Sequence, residues 1–311
     1  MSSNGASEGS SVRVICGPTA AGKSAIAMAI AQLHGAVIIS ADSRQIYRGF
    51  DIGTAKPSAA DQRLVPHRGI DVVEPRERYS AARWAKDAQG WIAEARALGR
   101  EPLVVGGTGF YLRALVEPLF ESTPLDPERR AALERLFATT STEDLRRWCL
   151  RLDPERAHLG RVQLARSVET ALLTGHRLSD LHRSRAQAPT IRARYLVVDP
   201  GAALTARIEA RFDAMMAAGW ADEVRSLMRV VDPSAPAWKA SGYRLVRDLV
   251  EDRVSASAAR EQVIIETRQY AKRQRTWFRH QLAAESVIRV NPDDRNSEAL
   301  VNAWWEGRTA E

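Results

Sequence analysis

Lys23 and Ser24 close the octapeptide GPTAAGKS, residues 17–24. The spacing G-x-x-x-x-G-K-[ST] suits an anion that carries more than one phosphate. The loop Gly17, Pro18, Thr19, Ala20, Ala21 and Gly22 would wrap the phosphate with backbone N–H groups, and a following helix would add its positive end. Lys23 would neutralise the terminal oxygens, and the Ser24 hydroxyl can ligate Mg²⁺. The motif does not name the ligand. A kinase, an ATPase and an enzyme for which pyrophosphate is a leaving group could all carry it.

Two further sites can do chemistry. In ISADSRQIYRGFDIGTAKPS, Asp42 follows an apolar run and could act as a base, although Asp42-Ser43 alone also fits an Asx turn. In VGGTGFY, Thr108 offers a hydroxyl inside a second glycine turn. An NTPase would show an apolar strand ending in a metal-organising acid, but EPLVVGGT ends in glycines. The candidate acids at this edge therefore reduce to Asp42.

The elements that must position these residues alternate. SVRVIC, AVIIS, EPLVVGG and YLVVD are short apolar runs, each expected to be a strand. SAIAMAIAQLHG and the stretch from Ser80 to Gly99 have helical spacing, with Trp84, Ala88, Trp91 and Ala95 on one face. Strands separated by helices imply a buried parallel sheet, and ligands then sit at its carboxyl edge. The fold class is α/β: a P-loop-type parallel sheet flanked by helices, with an inserted all-helical lobe. The core is expected over 12–122 and 195–290 and the lobe over 123–194. Residues 1–11 are read as a disordered tail, and 291–311 as a strand exit and mobile tail. The two LDPER copies read as helix starts with Pro at the first position.

The 311 residues are 45% hydrophobic and 27% charged, with a net charge of +7. No apolar run is long enough to span a bilayer. The start, MSSNGASEGS, lacks the basic and apolar regions of a signal peptide. Cys16 and Cys149 match no metal spacing and are expected as reduced, buried thiols in a cytoplasmic protein. His158, His176 and His182 are better read as surface or capping residues, and Met215 and Met216 as core filler. From Thr123 to Arg194 there are fourteen arginines, no lysine and nine acids. That excess suits a polyanion-binding surface, or equally an Arg-rich lobe with solvated faces. In TRQYAKRQRTWFRHQ, Arg268, Lys272, Arg275 and Arg279 share one helical face, while Ile264, Ala271 and Phe278 share another.

Taken in order, GPTAAGKS, ISADSRQIYRGFDIGTAKP, PHRGIDVVEP with YSAARW, VGGTGFYLRAL, SGYR and TRQYAKRQRTWFR resemble the bacterial tRNA dimethylallyltransferases, also called tRNA isopentenyltransferases. The likeness runs from Val12 to His280. It implies transfer of a dimethylallyl group from dimethylallyl diphosphate, with Mg²⁺, to the exocyclic amine of the adenosine 3′ of the anticodon in tRNAs reading codons that begin with U. It implies Asp42 as base, Thr19 at the bridging oxygen and Arg244 as a further cation for the diphosphate. Thr108 would hold the base, and Ser43, Arg44 and Gln45 would lie against the tRNA. Arg130, Gln163 and Arg166 fall at tRNA-contacting positions, although LGRVQLAR departs from the usual ND-x-x-R pattern. The stripe from Arg268 to Arg279 would line the tRNA cleft. A small-molecule P-loop kinase and a prenyltransferase of free adenine nucleotides are the alternatives, and neither needs an Arg-rich lobe. A tRNA-binding protein without catalysis would not need Lys23, Ser24, Asp42 and Thr108. No membrane partner is implied, and nothing requires more than a monomer.

Overall fold

β-Branched residues fill the short strands because a pleated strand buried on both faces favours them. In the computed structural model, which describes residues 11–117, 126–184, 191–282 and 286–307, these runs form one parallel sheet. Its strands are β1 (Ser11–Cys16), β2 (Val37–Ser40), β3 (His67–Arg68), β4 (Pro102–Gly106), β5 (Arg192–Val198) and β6 (Val287–Val290). Their order is β3-β2-β4-β1-β5-β6. The register pairs Cys16 with Gly106 and Ser40 with Val105, so the chain exits of β1, β2 and β4 share one edge. β3 and β6 extend the four-strand expectation, and β5 begins at Arg192 rather than Tyr195.

The chain divides into two compact units, Met1–Val116 with Thr190–Glu311, and Glu117–Pro189. In the first, the helices are α1 (Lys23–His34), α2 (Ala59–Leu64), α3 (Ala81–Ala97) and α4 (Gly109–Val116). The second unit holds α5 (Pro127–Thr139), α6 (Thr142–Leu152), α7 (Arg161–Thr174) and α8 (Leu178–Ser184). The first unit resumes with α9 (Leu204–Ala217), α10 (Trp220–Met228), α11 (Tyr243–Val250), α12 (Ala256–His280) and α13 (Ser297–Glu306). The α3 stripe buries Trp84, Ala88, Ile92 and Ala95, while Trp91 is half-buried. Trp84 donates its ring N–H to the Ser40 carbonyl at 3.0 Å and stacks on Tyr111 at 4.9 Å, fixing the end of β2. Met215 and Met216 pack, half-buried, against the core built around Phe50, Trp220 and Tyr243.

The expectation of a mobile tail after Asn291 is corrected by α13. Val301, Trp304 and Trp305 lie on one helical face and are buried against the sheet. The Trp305 ring stacks on His34 at 4.7 Å, with the Arg13 guanidinium 4.4 Å from its centroid. Of residues 1–11, read as a disordered tail, 1–10 lie outside the described residues, and Ser11 instead begins β1. Cys16 and Cys149 are both buried free thiols.

In the second unit Asp126 caps α5 ahead of Pro127 by accepting from the N–H groups of Glu128 and Arg129. The second LDPER copy differs, because its Pro154–Arg156 forms only a 3₁₀ turn. Asp153 is buried and accepts instead from the Ser179 N–H at 3.1 Å and hydroxyl at 2.6 Å, so its carboxylate is not free to cap. Arg130 (2.9 Å) and Arg166 both pair with the buried Glu169, and Gln163 is exposed. Two of the candidate tRNA contacts therefore share a carboxylate that offsets part of their charge.

Candidate active site

The octapeptide links β1 to α1, as its glycines and its helix-forming continuation dictate. Gly17 has φ 142°, and a Cβ there would lie 2.1 Å from the Val198 carbonyl oxygen, so only glycine lets the loop lie on β5. Ala20 takes φ 61° although it carries a Cβ, a conformation that costs roughly 1–2 kcal/mol. Such strain is common where a loop is shaped for a ligand.

Thr19, Ala20, Ala21, Gly22, Lys23 and Ser24 line a cavity of about 1100 Å³. Gly17 and Pro18 are not among the lining residues, and the Pro18 carbonyl accepts from Lys23 Nζ at 2.6 Å. Burial, reinforced by the Arg211 charge, pulls Lys23 from its ordinary value down to about 8, while Asp42 acts in the opposite sense. Arg211 also lines the cavity, and burial lowers its pKa against the opposing effect of Asp42. Arg207 joins it one turn earlier on α9. Arg207 donates to the Ala21 carbonyl of the loop at 3.4 Å but pairs with Asp293, which offsets part of its charge.

Asp42 lines the same cavity, half-buried just past β2. Its Oδ1 accepts from the Arg44 N–H at 2.8 Å, which fixes the carboxylate's orientation. Thr108 Oγ1 accepts from the Ser43 N–H at 3.1 Å, and the Thr108 N–H donates to the Ala41 carbonyl at 3.2 Å. The second glycine turn is thereby stitched to the Asp42 turn. Tyr270 of α12 also lines the cavity and shares a hydrogen bond with Thr108. Burial, with the Asp42 charge nearby, pushes its phenol up to about 12. Tyr270 therefore stays a neutral hydrogen-bonding group at ordinary pH.

Other predicted residues are engaged within the protein or lie outside the cavity. Gln45 lines the cavity, but its carboxamide is engaged: Oε1 accepts from Ser40 Oγ, and Nε2 donates to the carbonyls of Thr54 and Ala55. Arg244 is not among the cavity residues; it is exposed on α11 and paired with Asp248 (3.4 Å) and Glu266 (3.1 Å). Its neighbour Tyr243 is fully buried and donates to Glu223 at 2.5 Å, which gives the SGYR stretch a role in packing. On α12, Ile264, Ala271 and Phe278 are buried, whereas Arg268, Lys272 and Arg279 are exposed. Arg268, Lys272 and Arg275 border a second cavity of about 440 Å³ with Thr205 and Ile208. Arg275 is paired with Asp199 at 2.5 Å, so the four cations are not equivalent.

Asp199 corrects the reading that Asp42 is the sole acid at the sheet edge. It follows β5 directly, but the Gly201 N–H and Arg275 occupy its Oδ1. Arg207, Arg211, Tyr270 and Gln274 were not foreseen, and no local spacing marks them. Lys56 stood unassigned inside a quoted motif. Its Nζ, almost fully buried, donates to the Tyr47 carbonyl (2.8 Å), Asp51 (2.5 Å) and Asp71 (2.6 Å), which pins the loop after Asp42.

Residues 45–281 match a family model described as IPP transferase, and residues 10–66 match one described as isopentenyl transferase. The chain is 43% identical over 305 residues to the tRNA dimethylallyltransferase of Halorhodospira halophila, covering 95% of this chain and 97% of that protein. The Gloeobacter violaceus tRNA dimethylallyltransferase is 43% identical over 278 residues, covering 86% and 88%. Among solved structures, the full-length tRNA isopentenylpyrophosphate transferase of Bacillus halodurans is 28% identical, with a TM-score of 0.68 and coverage of 96% and 95%. A eukaryotic dimethylallyltransferase acting on tRNA shares the fold, with a TM-score of 0.78, 22% identity and coverage of 97% and 81%. Identity above 40% along nearly the whole length, together with the long family-model match, places the chain in the IPP transferase family of tRNA dimethylallyltransferases.

Proposed function

We propose that this protein transfers a dimethylallyl group from dimethylallyl diphosphate to the exocyclic amine of an adenosine in tRNA, releasing pyrophosphate. The target is the adenosine 3′ of the anticodon in tRNAs that read codons beginning with U. One observation carries the reading: a single cavity of about 1100 Å³ holds a phosphate loop with two extra arginines and, apart from them, the Asp42 carboxylate. That volume exceeds what one small ligand requires. A kinase can also set a carboxylate beside its phosphates, and the 43% identity to a tRNA dimethylallyltransferase favours prenyl transfer over that reading.

As the allylic C–O bond breaks, negative charge grows on the departing diphosphate. Lys23 and Arg211 line the place where that charge would grow, and Lys23 would exchange the Pro18 carbonyl for a phosphate oxygen. Thr19, which lines the same cavity, would reach the bridging oxygen. The adenine N6 lone pair forms the new N–C bond, and Asp42 accepts the proton that nitrogen loses. Thr108 and Tyr270 hold the base. To reach the cavity the adenosine must leave its stack, at a cost lowered by an already unpaired loop.

Mg²⁺ fits at Ser24. The hydroxyl lines the cavity beside Lys23, and among the described residues no three His, Cys, Asp or Glu side chains form a cage. An ion taking most of its ligands from phosphate oxygens and water suits that single protein donor. Bound there, it would draw charge from the leaving group. The exposed α12 cations Arg268, Lys272 and Arg279 and the arginines of the second unit would meet the tRNA backbone. Action as a monomer, in the cytoplasm with its tRNA substrate, belongs to the same reading. No helix among the described residues is long and apolar enough to cross a membrane.

The test supplies dimethylallyl diphosphate and Mg²⁺ with either an anticodon stem-loop or AMP. Prenyl label is expected on the stem-loop. Label on AMP alone, or ATP turnover without prenyl transfer, would overturn the reading.

A further inference from the structure

The two glycine turns that serve the two halves of the cavity are joined by one side chain. Gln274 of α12 is buried and spans them. Its Oε1 accepts from the Thr19 N–H at 2.8 Å, and its Nε2 donates to the Gly107 carbonyl at 2.8 Å. A Cβ on Gly107 would lie 2.4 Å from that Nε2 and 3.3 Å from the Gly17 carbonyl oxygen, so a side chain there would displace the carboxamide from its place between the turns. The carboxamide has one allowed orientation. A flip would set its amino group against the Thr19 N–H and its oxygen against the Gly107 carbonyl, leaving buried groups unsatisfied.

The connections continue at both ends. Thr19 opens the loop that leads to Lys23. Gly107 precedes Thr108, whose hydroxyl holds the Ser43 N–H and whose own N–H is held by Ala41, on either side of Asp42. A rigid planar group tied at both ends cannot follow one turn without pulling on the other. We infer that Gln274 is a positioning residue that couples the diphosphate half of the cavity to the adenine half, so that each ligand favours the placement the other needs. This rests on the prenyl-transfer reading above.

Coupling of this kind is reciprocal and commonly amounts to five-fold or more in affinity. The test measures binding of inorganic pyrophosphate with and without a saturating anticodon stem-loop, and of the stem-loop with and without pyrophosphate, at fixed Mg²⁺. In the wild-type enzyme each ligand is expected to tighten the other by about five-fold or more, equally in both directions. Gln274→Met keeps length and volume but loses both hydrogen bonds. Gln274→Glu keeps the acceptor for Thr19 and sets an oxygen against the Gly107 carbonyl. In both variants the coupling ratio should fall to within about two-fold of unity. A merely structural role would lower both separate affinities and the melting temperature while leaving the ratio unchanged. An undiminished ratio in both variants, or a wild-type ratio of one, overturns the inference. Absence of prenyl transfer to the same stem-loop by the wild-type enzyme would instead overturn the functional reading.

Discussion

Lys23 should make diphosphate binding depend on pH in a range where an ordinary lysine would be silent. Burial is the main cause of its lowered pKa, followed by Arg211, and together they bring it to about 8. The free enzyme therefore holds Lys23 charged below that value and neutral above it. An incoming diphosphate supplies the opposite charge and raises the pKa in the complex. Affinity should stay level up to about pH 8 and then fall as binding has to take up a proton. A group titrating at 8 is roughly nine-tenths charged at pH 7 and one-tenth charged at pH 9, so the dissociation constant should rise about tenfold across that span. A lysine at its ordinary value would leave it almost flat. The assay is calorimetric titration with dimethylallyl diphosphate in the absence of RNA, because an alkyl diphosphate is fully ionised across the window. Lys23→Met should bind weakly and without this dependence. Asp42→Asn should move the midpoint lower, since Asp42 is the carboxylate that props the ammonium up. A wild-type profile flat to pH 9.5, or the same fall in Lys23→Met, would refute the reasoning.

Asp42→Asn should lower turnover by about 10²–10⁴-fold while leaving stem-loop affinity within a few-fold, because the amide oxygen can still accept from the Arg44 N–H. Single-turnover rates beside filter-binding constants check this, and turnover within tenfold of wild type would place the base elsewhere. Arg211→Met should raise the KM for dimethylallyl diphosphate about tenfold or more, the worth of one charge-assisted contact, whereas the exposed Arg244→Ala should leave that KM within about two-fold. The opposite ranking in steady-state kinetics would return the cation role to Arg244. Trp304→Ala should cost about 3–5 kcal/mol in urea unfolding. Trp304→Phe should cost less, since the buried ring N–H has no hydrogen-bond partner to lose. Equal losses in the two variants would contradict that ranking.

The legible parts of this protein share one physical property: their function is written in neighbouring residues. A phosphate loop must be continuous, since consecutive backbone N–H groups close round one anion, and so GPTAAGKS could be read directly. Asp42 was visible for a related reason, because a strand delivers its next residue to the sheet edge. The four core strands were apolar runs of sufficient length. β3, with two residues, carries no pattern at all. α13 was readable in principle, since Leu300, Val301, Trp304 and Trp305 lie on one helical face. The turn residues of NPDDRNS just before it outweighed that signal.

What stayed hidden is the part of the site that tertiary structure assembles. Arg211 lies in RIEARFDAMM among other charges of an amphipathic helix, and its neighbour Asp213 pairs with Arg260 in an ordinary exposed bridge. Only the packing of α9 beside the loop sets one charge in the cavity wall and leaves the other a surface ion. Gln274 is harder still, because a glutamine in a basic helix looks like solvated surface until its two partners, Thr19 and Gly107, are known to flank it. Arg244 shows the converse. A motif can be kept for the buried Tyr243 at its centre while the cation beside it faces outward. A residue's chemistry is therefore legible when its partners are local in sequence. When they come from two distant turns, as around Gln274, the burial of a polar side chain with both ends satisfied is the observation that exposes its role.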